Sequence, residues 1–116
     1  MTARIRADRF NAIHYETFNG PSGTRIGKRL GLPLVFEWIF KKAWAHFSKN
    51  IATADWSKKQ TAKLLYDDPE DWGSMKHGVR HAIGRCLRHF VTQEMLPLYV
   101  VNPRSKGTKF YALIDE

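Results

Sequence analysis

Hydrophobic positions change their spacing several times along this chain. In LVFEWIFKKAWAHFSKN, Phe36, Phe40, Ala43 and Phe47 recur every three or four residues, which lays one apolar face along a helix. Pro33 suits the first helical position, where a missing N–H breaks no intrahelical bond. Trp38 falls on the opposite side with Lys41 and Ala45, where it either lies under the N-terminal segment, the favoured expectation, or is exposed as a contact. NIAT, residues 50–53, reads as a one-bridge strand. WSKKQTAKLLY follows as a second helix, capped by Asp55, or by Ser57 with Gln60 three residues on as in a capping box. DDPEDWGS then turns a corner, with Asp68 able to cap, Pro69 to open a turn and Gly73 to redirect the chain.

From Ser74 the helical period returns. At 100° per residue, Met75, Val79, Ala82, Ile83, Cys86, Leu87 and Phe90 fall in one continuous apolar arc. His77, His81, Gly84, Arg85 and Arg88 lie opposite, with Lys76 and Arg80 on a flank. The last segment, MLPLYVVNPRSKGTKFYALIDE, holds two β-branched and aromatic runs around NPRSKG, where Pro103 and Gly107 supply turn residues; it predicts a hairpin with a basic tip. Leu96, Leu98, Val100, Phe110, Ala112 and Ile114, or their neighbours, are expected to hold its strands to the core. Residues 1–32 show no sustained period. They read as a basic extension, with a candidate strand at Ile13, Tyr15 and Thr17, ahead of a single domain over residues 33–116.

Composition narrows the class. With 116 residues, 43% of them hydrophobic, the chain can bury an ordinary core without covalent staples, and its one cysteine, Cys86, cannot form an internal disulfide. The N-terminal MTARIRADRF has no apolar signal-peptide core, and LPLVFEWIF is too short to span a bilayer. A cytoplasmic protein that does not enter membranes is expected. The formal net charge is +8, and it is polarised: residues 74–109 carry seven Lys or Arg against one carboxylate, while residues 55–71 carry three against five. Within residues 76–90 there are four Lys or Arg and three His, with no carboxylate to pair them. Such a surface calls for a polyanionic partner.

The order helix, short strand, helix, turn, basic amphipathic helix and basic-tipped hairpin resembles the winged-helix branch of the helix-turn-helix DNA-binding proteins, over about residues 33–115. The resemblance implies an α+β fold, a three-helix core with a C-terminal β-hairpin wing, in which the third helix enters the major groove of double-stranded DNA and the wing touches the flank. The DDPEDWGS connection is longer than the tight turn usual in that family.

Chemistry assigns the contacts. Neutralising phosphates releases counterions, which gives affinity for any sequence, whereas specificity needs donors that reach base edges. Lys76, His77, Arg80 and His81, near the start of the third helix, are the candidate base readers; Arg85 and Arg88 are candidate phosphate contacts; Arg104, Lys106 and Lys109 belong to the wing. Arg4, Arg6 and Arg9, or Arg25, Lys28 and Arg29, are available as an arm. Gly84 on the basic stripe costs about 1 kcal/mol relative to Ala in a helix and would admit a close backbone approach. The carboxylates of residues 67–71 are expected to face away from phosphate.

Competing readings of the same residues are weaker. His77 and His81 at i,i+4 lack an acidic third ligand on their face, so no metal is expected. Cys86 sits in the apolar arc, where burial suppresses a nucleophilic thiolate. GTRIGKRLG is not a GxxxxGK[ST] phosphate loop. Neither a nucleophile–base set nor a carboxylate pair emerges, and no cofactor or enzyme activity is expected. The rival to DNA binding is a protein-interaction module, or an inhibitor of a nucleic-acid enzyme, on the same fold; RNA is a third possible partner.

Overall fold

The computed structural model describes Ile5 and residues 37–114. The expected helix start at Pro33, Phe36, the candidate strand at residues 13–17 and the arginines of the basic extension lie outside the described residues. Among the described residues the chain is α+β, with four helices and one antiparallel hairpin.

Helix α1, Glu37–Asn50, buries Ile39, Phe40, Ala43 and Phe47, as its period dictates. Trp38 is half exposed rather than enclosed. Past Asn50 the backbone keeps winding: Ile51 donates to the Phe47 carbonyl and Ala54 to that of Asn50. Ile51 is buried on the same stripe as Phe47, so its side chain favours another helical turn over the strand expected at residues 50–53.

The bridge falls at Gln60 instead. Its N–H and C=O exchange hydrogen bonds with Tyr111, at 3.2 and 2.7 Å. Asp55 caps no helix; its carboxylate accepts from the backbone N–H and hydroxyl of Ser57 in a local turn. Gln60 forms no capping box, because its amide donates to the Asp55 carbonyl at 2.7 Å. The second helix is therefore shorter than expected. It is α2, Ala62–Tyr66, capped by Thr61. The corner holds a helix of its own, α3, Pro69–Ser74, with Asp68 accepting from the Asp71 N–H, Pro69 at the first position and Glu70 and Asp71 in the first turn. The expected three-helix core thus gains a short fourth helix.

Met75 and Lys76 are extended, so the long basic helix, α4, begins at His77 and runs to Thr92. Ala82, Ile83, Cys86, Leu87, Phe90 and Val91 are buried along it, with Met75 and Val79 partly so. Its aromatic contact with α1 runs through Phe90, edge-on to Phe40 and Trp44 at centroid distances of 5.1 Å in both cases.

Strands β1, Leu98–Val100, and β2, Tyr111–Leu113, pair Leu98 with Leu113, Tyr99 with Ala112 and Val100 with Tyr111. On β2 the inward residue is Tyr111, while Leu113 and the following Ile114 are exposed. Of the two alternations the sequence left open on this strand, the structure takes the neighbouring one, with Tyr111 inward and bridged to Gln60.

Candidate nucleic-acid interface

With its apolar arc against α1, α4 presents the opposite face outward. That face forms one wall of a groove of about 780 Å³; the wing loop forms a second, and the start of α2 together with Trp72 of α3 closes it. Seven of the nine candidate contact residues line it: His77, Arg80, His81, Arg85 and Arg88 from α4, and Lys106 and Lys109 from the wing. Lys76, the cap residue of α4, and Arg104 in the wing loop are exposed outside it.

Among the described residues the lining includes six Lys or Arg side chains and no carboxylate. The acidic segment at residues 67–71 is turned elsewhere. Asp71 accepts a hydrogen bond from Tyr66 and pairs with Lys42 at 2.9 Å; these contacts hold its carboxyl below the ordinary range.

The groove also holds residues that the sequence patterns do not single out. Lys63 comes from α2, in the stretch where acidic residues outnumber basic ones, and Thr61 and Thr108 flank it on either wall. Trp72 packs against Tyr66 with the rings tilted and their centroids 5.3 Å apart, and lines the groove as well. Helical period places a residue on a face; it carries no information about which faces of separate elements meet, so Lys63 and Trp72 had no signal to give.

The side chains are differently constrained. The rings of His77 and His81 lie 4.6 Å apart, side by side on successive turns of α4. Arg80 is half buried, and its Nε is fully buried with no hydrogen-bond partner among the described residues. Leaving a buried donor unmade costs on the order of 1–3 kcal/mol, so an acceptor that drew this group into a hydrogen bond would be bound the more favourably. Gly84 lines the groove with open space where a Cβ would stand, which fits a close approach at that point.

Lys109 lines the groove and is also tied into its own loop. Its ammonium donates to the carbonyls of Pro103, at 3.0 Å, and Ser105, and so closes the loop on itself. Asn102 completes the loop by donating to the Thr108 carbonyl and accepting from the Phe110 N–H. The wing is thus stapled from within by Lys109 and presents Arg104 and Lys106 outward.

Cys86 is fully buried, which pushes its thiol up to about 12, so it remains a neutral packing group. Burial likewise pushes the Tyr111 hydroxyl up to about 12, although the nearby positive charge of Arg88 opposes the shift. Among the described residues no three His, Cys, Asp or Glu side chains gather into a possible metal site. No described helix is long and apolar enough to cross a membrane. Compared with known protein families, characterised proteins and solved structures, the chain matches none.

Proposed function

We propose that this protein is a winged-helix DNA-binding protein, a transcriptional or replication-linked regulator that acts by occupying duplex DNA with α4 and its basic wing. The observation that carries the reading is the groove in which α4, α2 and the wing converge six Lys or Arg side chains, with no carboxylate among its described lining residues. A surface of solvated cations serves solubility equally well when scattered; gathering them on one concave face raises a positive potential there, which a polyphosphate relieves. α4, with 16 residues, is about 24 Å long, and its buried residues lie on one side with His77, His81, Arg85 and Arg88 exposed on the other, the form required of a helix that enters a major groove.

The test is binding of the purified protein to an arbitrary duplex across a salt series. Each phosphate neutralised contributes about 0.9 to the log–log salt slope, so with Lys109 held in its loop a slope between about −4 and −5 is expected. Absence of salt-dependent binding would overturn the reading in favour of a protein partner, for which the half-exposed Trp38 is the available anchor.

A further inference from the structure

We propose that the groove between α4 and the wing is built to take an unpaired base, so that the protein prefers a duplex interrupted by an unpaired nucleotide over an intact one. This rests on reading the groove as a nucleic-acid interface and specifies what enters it.

The lining is graded by exposure. Lys63, Arg85, Arg88 and Lys106 are exposed, whereas Ala62, Trp72 and Gly84 are half buried and Tyr111 is buried. A phosphodiester strand is satisfied by the exposed cations alone, since phosphates need cations and water. In a paired strand the bases turn away toward their complement, and the half-buried apolar surface would stay wet. A base rotated into the groove removes that surface from water and meets Trp72, while its phosphates remain among the exposed cations.

Three further observations point the same way. A groove of about 780 Å³ falls in the range of about 300–1,000 Å³ typical of small-molecule sites, room enough for a single base. The exposed His77 and His81 rings on the α4 wall offer a second aromatic surface beside the opening. Gly84 leaves open space in the middle of that wall, where any side chain would narrow the slot.

The experiment compares three fluorescent probes at one salt concentration: an intact duplex, the same duplex with a single bulged thymidine, and the same bulge carrying an abasic site. One base stacked on an aromatic side chain corresponds to a roughly five- to hundredfold gain in affinity, so the thymidine bulge should bind tighter than both other probes by a factor in that range. Gly84→Leu should bring the ratio of bulged to intact affinity toward one while the melting temperature holds or rises, because its side chain enters open space and Leu favours the helix. Trp72→Leu should act alike, and Gly84→Leu decides the matter should the loss of the Trp72–Tyr66 contact unfold that variant. Equal binding of all three probes with a steep salt slope overturns the inference and leaves the duplex-binding reading intact. Equal gains from the thymidine and abasic bulges also overturn it, since flexibility rather than stacking would then be recognised. No binding to any probe overturns both.

Discussion

Asp67 and Glu94 are the non-glycine residues with left-handed backbone angles among the described residues, at φ 54° and 58°, and each ends a helix. At α4 the Glu94 N–H donates to the Val91 carbonyl and the Met95 N–H reaches back to Phe90, which closes the helix with two reverse bonds and delivers Met95 into the core. An L-residue in that conformation costs about 1–2 kcal/mol, and a carboxylate at a helix C-terminus adds to the cost. Glu94→Gly is therefore expected to stabilise the protein by about 1 kcal/mol after glycine's greater chain entropy is subtracted, raising the melting temperature by about 4–6 °C. A thermal melt showing no gain would mean that the Glu94 side chain makes a compensating contact. At α2 the exposed carbonyls are met from another helix: Asn50 donates to those of Leu65 and Tyr66, and His46, with its proton on Nδ1, donates to that of Tyr66. The Asn50 and His46 side chains, fifteen and twenty residues away, are assigned by no local pattern, whereas the Asp68 cap and Pro69 at the first position of α3 were plain in the chain and were read as a bare corner because the segment is so short.

At the level of elements, α4 follows its sequence closely. The apolar arc from Val79 to Phe90 is wide and uninterrupted, so tertiary packing had one way to use it and the basic side had to face out. The wing is less transparent, because a loop lysine has the same letter whether it points at phosphate or at its own backbone. Lys106 and Lys109 should accordingly behave differently. Lys106→Gln is expected to reduce the magnitude of the salt slope on duplex DNA by up to about 0.9 with no change in stability. Lys109→Gln should leave the slope nearly unchanged but loosen the loop, since the Pro103 and Ser105 carbonyls lose their shared donor. Salt titrations paired with hydrogen exchange over residues 102–110 distinguish the two. An equal loss of slope in both variants, with exchange unaltered, would place Lys109 on the phosphates.

For the whole molecule, acid should act in two stages. His89 is largely enclosed beside Phe40 and Phe90, and desolvation holds its pKa below the ordinary 6.5. A group whose folded value is depressed contributes stability above its unfolded value and loses it as pH falls, so the first loss begins below about 6.5. Asp71 ties α3 to α1 through Lys42 and to α2 through Tyr66, and its carboxyl is held below the ordinary 3.8. Asp55, held by Ser57, shifts in the same direction. The second loss therefore begins only as carboxylates protonate, near and below pH 4. Denaturation midpoints measured from pH 8 to 3 should show both stages, and His89→Phe should remove the first. A profile flat down to pH 4 in the parent protein would show that His89 is solvated.

The sequence by itself determined the α+β class, the two long helices, the inward arc of α4 and the sign of the surface opposite, because all of these follow from helical period and charge, which are local properties. The tertiary structure alone decided that Lys63 and Trp72 join α4 and the wing around one groove, that Lys109 turns back into its loop and that Tyr111 rather than its neighbours faces the core. Those outcomes depend on the bridge between Gln60 and Tyr111, residues 51 positions apart, and on left-handed turns at non-glycine residues, and the energy that selects them lies in contacts between elements rather than within any one of them.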